Sequence, residues 1–216
     1  MKVALINGSP RGKESTSRHL IEALEKQLEG AECFKLTWHK PEVASKDFKE
    51  LMACDAIVFC FPLYIDSIPS HLLRILRELE VYIKANRENR EEVKVYVLVN
   101  NGFFDEKQNC LALENIGHWC HRTGVTMGQG IGFGGGGMVA GMLSMPAKRG
   151  PMKEVVSAFE ELAHHIIAGE TGETKMVKPK LPAFVYNMMV EKVFFRGTAK
   201  KNGLKTKDLF RRIEKS

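Results

Sequence analysis

One stretch near the N-terminus, residues 3–17, constrains the fold more than any other part of the chain. It reads VALINGSPRGKESTS, an apolar run followed by a turn rich in Gly, Pro and hydroxyl side chains. The apolar run is typical of a buried strand in a parallel sheet. Apolar residues at helical spacing follow, and Ser15, Thr16 or Ser17 is placed to cap the helix that they predict. The stretch therefore predicts a strand, a polar loop and a helix start in succession.

The predicted loop and helix start have the features of an anion site. The first turn of a helix presents N–H groups without acceptors and a partial positive charge, and the loop adds Arg11, Lys13 and hydroxyl side chains. A Walker loop is excluded, because Asn7 stands where its first Gly belongs and Glu14 where its metal-binding hydroxyl belongs. A Rossmann fingerprint fails because its second and third glycines are missing. The pattern favours a terminal monophosphate, and the alternative is an ordinary strand-to-helix turn that binds nothing.

Strand and helix patterns alternate along the chain as far as residue 168. After the first unit, predicted strands occupy residues 32–37, 56–61, 93–99 and 125–131, and predicted helices occupy 45–53, a segment from Pro69, 109–122 and 151–168. Five strand–helix units with short links predict an α/β fold, a doubly wound parallel sheet with helices on both faces. The glycine-rich residues 132–137 are predicted to form a loop that no helix start follows, and a mobile flap is favoured over a passive linker.

Length and charge predict one domain with a basic extension. The 216 residues, 44% of them hydrophobic, suffice for a single full core. We expect a domain over residues 1–168, a charged linker over 169–182 and a helical extension over 183–216. The net charge of +6 is uneven, since residues 176–216 hold 11 Lys/Arg against 3 Asp/Glu. The basic character therefore says little about the ligand of the main domain.

The extension contains an apolar segment, residues 181–195, that is too hydrophobic to stand free in water. Its larger apolar residues are Phe184, Val185, Met188, Met189, Phe194 and Phe195. The favoured interpretation is a helix docked on its own domain or on a second subunit. The alternative is a basic amphipathic helix on an anionic membrane surface. Residues 200–216 are predicted to form a short solvated helix, and nucleic-acid binding is not expected because aromatic and basic residues do not interleave in that segment.

Cysteine usage predicts a cytoplasmic protein with reduced thiols. The five cysteines are odd in number and lack any Cys-x-x-Cys spacing, which argues against disulfides, zinc and iron–sulfur clusters. The N-terminus enters a strand pattern at once, so no signal peptide is expected. No metal site is predicted.

Two further loops are expected beside the anion site, because loops after strands one, three and four meet where strand order reverses. The loop after the third strand exposes Leu63, Tyr64 and Ile65 between stiffening prolines. The loop after the fourth offers Gly102, which permits close approach of a flat ligand, and the aromatic Phe103. A phosphate cradle beside two apolar loops suits a planar ring on a phosphorylated tail. Flavin mononucleotide (FMN) fits this description best.

These motifs also carry a family resemblance. The segments Gly8-Ser9-Pro10-Arg11, Ser15-Thr16-Ser17, Pro62-Leu63-Tyr64 and SIPSHLL at 67–73, taken together, resemble the flavodoxin-like NAD(P)H-dependent FMN reductase family over roughly residues 1–168. The resemblance implies a five-stranded sheet of order 2-1-3-4-5. It also implies three groups of FMN contacts: Ser9, Arg11, Ser15, Thr16 and Ser17 at the phosphate; Pro62, Leu63, Tyr64 and Ile65 at the ribityl chain and ring; Asn100, Asn101, Gly102 and Phe103 at the polar edge of the ring.

The chain departs from the family pattern in two places. The cysteine cluster of the related iron–sulfur flavoproteins is missing, and so is the usual lysine after the second proline of the Pro62 loop, where Arg74 stands nearby. The favoured function is an FMN-dependent NAD(P)H oxidoreductase that takes a hydride from NADPH or NADH and passes electrons to a quinone, flavin or nitro/azo-type acceptor. No catalytic side chain is expected, because the flavin carries the chemistry. The resemblance further implies a homodimer. A flavodoxin-type electron carrier and an FMN-free interaction protein remain as alternatives.

Overall fold

A parallel sheet of six strands forms the centre of the larger part of the computed structural model. The strands are β1 Lys2–Asn7, β2 Glu32–Thr37, β3 Ala56–Pro62, β4 Lys94–Asn100, β5 Thr126–Phe133 and β6 Lys175–Val177. They lie in the order β2-β1-β3-β4-β5-β6, with parallel pairing throughout. The predicted doubly wound α/β sheet is confirmed. The prediction of five strands is wrong, because β6 pairs with β5 and extends the sheet.

The structure describes residues 1–86, 92–143 and 150–211, without the side chains of Ser45, Leu143, Val193 and Phe194. Within the described residues of the sheet domain the helices are α1 Thr16–Glu25, α2 Ser45–Met52, α3 Ser70–Ala85, α4 Cys110–Thr123, α5 Gly136–Leu143 and α6 Lys153–Ala168. The five predicted strand–helix units follow the apolar spacing that predicted them, whereas α5 and β6 were not predicted. Among these described residues, no helix is both long and apolar enough to cross a membrane.

Two hydrophobic cores cover the two faces of the sheet. Helices α2, α3 and α4 pack on one face, where the Phe59 ring lies 6.1 Å from both the Trp38 and the Trp119 ring. Helices α1, α5 and α6 pack on the other, where Phe133 stacks on Phe159 at 5.1 Å. Strand β3 is fully buried from Ala56 to Phe61 because it receives helices on both faces.

A polar network holds β6 and the segment before it against the sheet. The Tyr96 hydroxyl on β4 lies 3.0 Å and 2.7 Å from the carbonyl oxygens of His165 and Glu170. The Gln129 side chain on β5 donates to the Glu173 carbonyl oxygen at 2.9 Å. Burial raises the pKa of Tyr96 to about 12, so the hydroxyl stays protonated and able to donate. The segment predicted as a linker, 169–182, therefore contains a strand of the sheet.

The glycine-rich residues 132–137 span the end of β5, a buried turn and the start of a helix. Strand β5 runs to Phe133, and α5 begins at Gly136, so the expectation that no helix start follows is wrong. Added Cβ atoms would lie 2.7 Å from the Phe104 carbonyl oxygen at Gly134 and 2.9 Å from the Asn100 Cβ at Gly136. This close approach requires glycine, and it fixes the turn against the loop after β4.

The chain divides into two compact units, Met1–Pro179 and Lys180–Ser216. The second unit contains α7 Ala183–Val190, a π-helical segment Glu191–Arg196, α8 Gly197–Lys201 and a 3-10 helix Thr206–Phe210. Helical segments therefore occupy residues 183–201 and 206–210 of the extension that is predicted over 183–216. Within the described residues of this unit, the buried hydrophobic side chains are Tyr186 and Ala199.

The cysteines should differ sharply in reactivity, because the thiolate is the nucleophile. Burial raises the pKa of Cys54 to about 11 and of Cys120 to about 12, and it also raises the pKa of Cys60. Cys110 is exposed. We expect iodoacetamide at pH 7.5 to alkylate Cys110 first and the three buried thiols only after denaturation, as read by mass spectrometry of tryptic peptides. Rapid labelling of Cys60 in the native protein would contradict this burial.

Candidate functional site

The loops after β1, β3 and β4 lie side by side at the carboxyl edge of the sheet. Asn7 at the end of β1 is opposite Cys60, and Pro62 at the end of β3 is opposite Asn100 at the end of β4. Strand order reverses at β1, which places these loops around the crevice where open α/β sheets bind ligands. The structure therefore brings together the three loops that the sequence singled out.

The side chain of Asn7 organises the loop after β1. It donates to the Gly12 carbonyl oxygen at 2.9 Å and to the Ser15 Oγ at 3.1 Å. Its Oδ1 accepts from the Ser9 N–H at 3.0 Å. Sequence reasoning named Asn7 only to exclude a Walker loop and missed this role. The signal was present, since a buried amide at the end of a central strand needs partners for both ends of its side chain.

Ser15 is the N-cap of α1. Its Oγ accepts from the Arg18 N–H at 3.2 Å and donates to the Gly12 carbonyl oxygen at 2.8 Å. The cap uses the third N–H of the helix, whereas the N–H groups of Thr16 and Ser17 have no acceptor among the described residues. Two free donors at a helix start favour an anion there.

Two cations flank this helix start. Arg11 and Lys13 are exposed, and neither side chain forms an ion pair with the described residues. The 3-10 turn Gly12–Glu14 that carries Lys13 has Gly12 at φ 56°, a left-handed conformation that favours glycine. The loop thus carries two exposed cations next to the N–H donors of the helix start.

One hydrogen bond joins this loop to the loop after β4. The Asn100 Nδ2 donates to the Ser17 Oγ at 2.9 Å and to the Phe61 carbonyl oxygen at 3.1 Å. Ser17 is fully buried, and Asn100 is 4% exposed. The side chains of both residues therefore face protein, and they set the spacing between the loops.

The loop after β3 presents strained, exposed apolar residues. Tyr64 and Ser67 pair through both backbone hydrogen bonds, at 3.0 Å and 3.1 Å, around a two-residue turn. Ile65 and Asp66 in this turn have φ values of 47° and 55°. Ile65 is 98% exposed and Tyr64 is 45% exposed. A β-branched residue at positive φ is a genuine outlier, and such strain is concentrated at ligand sites.

Hydrogen bonds hold the loop after β4 in place, and this loop borders open space at Gly102. Asn101 Oδ1 accepts from the Phe103 N–H at 3.0 Å, and the Gly135 N–H donates to the Phe103 carbonyl oxygen at 2.6 Å. A Cβ built on Gly102 meets no atom within 4 Å, and the Phe103 ring is 61% exposed. The backbone at Gly102 therefore borders open space on a rigid support.

A groove of about 670 Å³ begins at the loop after β3 and runs between α3 and α4. It is lined by Ser67, Ile68, Ser70, Leu73, Arg74, Leu76, Arg77, Asn115, His118, Trp119 and Arg122. Arg74 and Arg122 pair with Glu78 and Glu80, whereas Arg77 has no ion-pair partner among the described residues. The groove therefore begins at one loop of the candidate site and is lined by arginine side chains of α3 and α4.

The described residues contain no group of three His, Cys, Asp or Glu side chains suited to hold a metal ion. What the arrangement offers instead is N–H donors and cations on one side and exposed apolar side chains on the other. Such a site can bind a molecule with an anionic end and a flat apolar end.

Comparison with known proteins identifies the fold. A family model for the flavodoxin-like fold matches residues 1–76. The azoreductase of Bacillus anthracis str. Sterne superposes with a TM-score of 0.52 at 17% identity, covering 78% of this chain and 99% of that chain. A flavodoxin of Streptococcus pneumoniae TIGR4 gives 0.52 at 14% identity, covering 78% and 97%. The chain has the flavodoxin-like fold.

A third flavodoxin-like structure was solved with its cofactor. The FMN-dependent NADH-azoreductase of Bacillus anthracis str. Ames Ancestor, in complex with FMN, gives a TM-score of 0.50 at 12% identity, covering 77% of this chain and 100% of that chain. The resemblance found in the sequence is thus confirmed in the fold. No curated protein matches the sequence significantly. These flavodoxin-like structures leave about a fifth of this chain unmatched.

Proposed function

We propose that the protein is an FMN-dependent NAD(P)H oxidoreductase. One observation carries the proposal: the free N–H groups at the start of α1 lie at the same sheet edge as the exposed apolar tips of the β3 and β4 loops. FMN has a phosphate at one end and a flat ring at the other. The free N–H groups suit the phosphate, and the exposed apolar side chains suit the ring. The FMN-bound azoreductase of the same fold supports this reading.

The residues present fit FMN in three ways. The N–H groups of Thr16 and Ser17, with Arg11 and Lys13, would hold the phosphate. The exposed faces of Tyr64 and Ile65 would cover the apolar part of the ring, which explains why a strained turn keeps them in water. The open space over Gly102 would admit the edge of the ring. The Ser9, Ser15 and Ser17 hydroxyls serve the loop itself, so we assign these residues to the site through their backbone or their positioning role.

Bound FMN supplies a ring that accepts a hydride from a nicotinamide and passes electrons to an acceptor. The chain contributes binding, orientation and exclusion of water. The hydrogen bond from Asn100 to Ser17 fixes the loop after β1, which would hold the phosphate, relative to the loop after β4, which would border the ring. Pro62 and Leu63 are half-buried, and the Leu63 N–H donates to the Asn100 carbonyl oxygen at 2.8 Å, which joins the β3 loop to the end of β4.

The cationic groove between α3 and α4 supports a dinucleotide as the reductant. It opens at Ser67 on the β3 loop and carries Arg77 about two helical turns further along α3. Guanidinium groups bind phosphates through paired hydrogen bonds. A nicotinamide at the ring would thus have cations available for its phosphates.

Anaerobic mixing of the FMN-loaded protein with NADPH, and separately with NADH, tests the function. We expect bleaching of the flavin absorbance near 450 nm, followed by multiple turnovers when a quinone or an azo dye is added. Free FMN at equal concentration is the control. Bound FMN that neither nicotinamide reduces would indicate an electron carrier, which the similarity to a flavodoxin also accommodates. Light scattering of the same sample tests the predicted homodimer.

Gly102→Ala should lower FMN affinity roughly tenfold, because the new methyl group would occupy space needed by the ring edge. The fold should not suffer, since a Cβ at Gly102 meets no protein atom and its φ is not positive. Fluorescence titration of FMN measures the affinity, and thermal unfolding measures the stability. Gly141→Ala is the matched control, because a Cβ there also meets nothing within 4 Å. Equal FMN affinity in both variants would contradict a ring edge at Gly102.

A further inference from the structure

The unit Lys180–Ser216 combines exposed aromatic residues with a strong positive charge. Phe184 is 72% exposed, Phe195 is 60% exposed and Phe210 is 76% exposed. Met188 lies one helical turn after Phe184 and is also exposed. A small unit that leaves so many large apolar side chains in water needs a surface to cover them.

The positive charge of this unit indicates which kind of surface covers its exposed apolar side chains. Residues 180–216 hold 10 Lys/Arg against 3 Asp/Glu, whereas residues 1–179 hold 22 against 23. A second copy of the unit would bring the same positive charge against it, which disfavours self-association. Residues 1–179 carry a net charge of only −1, which is a weak attraction for a unit of charge +7. An anionic surface of another molecule complements the unit best.

The distribution of residues favours a lipid surface over a folded acidic protein. The helix formed by α7, the π-helical segment and α8 runs from Ala183 to Lys201, and exposed cations continue beyond it at Lys205 and Lys207. Exposed Phe and Met side chains occur throughout the unit, from Phe184 in α7 to Phe210 in the 3-10 helix. A bilayer interface accommodates such a spread of side chains because lipids adapt to it. Acyl chains bury the Phe and Met side chains, and anionic headgroups attract the cations.

We propose that the unit Lys180–Ser216 binds the surface of anionic lipid bilayers, with Phe184 and Phe195 inserted among the lipids and the lysines at the headgroups. The association is peripheral, because it depends on side chains inserted at the bilayer surface. Apolar insertion and charge act together, and neither alone gives stable binding. The oxidoreductase would then act beside the membrane.

Vesicle co-sedimentation of the full-length protein tests this proposal. We expect binding to phosphatidylcholine vesicles that contain phosphatidylserine and at least tenfold weaker binding to pure phosphatidylcholine vesicles. Phe184→Ser with Phe195→Ser should weaken the binding roughly tenfold or more. Lys200→Gln with Lys201→Gln should do the same, because each lysine near the surface contributes about 1 kcal/mol.

Matched controls remove the same groups from the sheet domain. Val81→Ser with Leu111→Ser removes two exposed apolar side chains, and Lys26→Gln with Lys49→Gln removes two exposed lysines. Both should bind vesicles as the unaltered protein does. Equal binding to the two lipid surfaces, or binding that survives both changes in the basic unit, would overturn the proposal. So would the lack of vesicle binding together with a dimer that dissociates on Phe184→Ser, because a second copy would then be the occupant.

Discussion

Replacing Arg11 and Lys13 with alanine should weaken FMN binding about a hundredfold and leave the fold intact. Each cation is expected to contact the phosphate through a charge-assisted hydrogen bond worth about 1.5 kcal/mol or more. Loss of both therefore removes about 3 kcal/mol of binding free energy. Neither side chain forms an ion pair with the described residues, so the free energy of unfolding should change little. Quenching of FMN fluorescence on titration measures the effect.

A control variant separates this contact from a general loss of positive charge. Lys26→Ala with Lys49→Ala removes two exposed cations, one of them at the far end of α1. Its FMN affinity should stay within about twofold of the unaltered protein, since charges beyond a Debye length of about 10 Å are screened. Equal weakening in the two variants would mean that net charge, and not the helix start, determines FMN affinity.

Asn100→Asp should lower the free energy of unfolding by about 3 kcal/mol at neutral pH and abolish most FMN binding. Asn100 is buried and donates to both the Ser17 hydroxyl and the Phe61 carbonyl oxygen. A carboxylate is unable to donate, faces a carbonyl oxygen and places a buried negative charge beside the proposed phosphate site. Urea denaturation measures the stability, and FMN titration measures the binding.

The pH dependence of this variant identifies the cause. Burial raises the pKa of a carboxyl group in the folded state above its unfolded value of about 4, so the unfolded state loses its proton first. The deficit in unfolding free energy should therefore grow as the pH rises from about 4 to 7. Asn115→Asp, on the exposed surface of α4, is the control and should show no such trend. A deficit that is independent of pH would point to lost packing instead of buried charge.

Long apolar runs made the fold predictable. Five strands and five helices have sequence patterns specific enough to predict their type, as in the fully buried run from Ala56 to Phe61. Strand β6 escaped prediction because its three residues, Lys175–Val177, are too few to show a pattern, and its pairing with β5 depends on distant contacts. Helix α5 escaped because glycine has a low helix propensity, which packing against the core overcomes.

The position of the candidate site was also predictable, whereas the roles of its side chains were less so. Sequence reasoning placed three loops together because parallel topology dictates it, and the register of β1, β3 and β4 agrees. Hydroxyl groups in the first loop suggested phosphate ligands. The structure instead uses the Ser15 side chain as a helix cap and the Ser17 side chain as a link to Asn100. A sequence pattern identifies a polar loop, but only the structure shows which polar atoms form hydrogen bonds within the loop itself. The FMN contacts of these residues stay predictions.

The most direct measurement compares the affinities of the full-length protein for FMN and for riboflavin, which lacks the phosphate. If the start of α1 holds the phosphate, one FMN should bind per chain, and riboflavin should bind about a hundredfold more weakly. The Arg11→Ala and Lys13→Ala change should weaken FMN binding and leave riboflavin binding unaltered. Equal affinities for the two flavins, or no binding of FMN at all, would contradict the account.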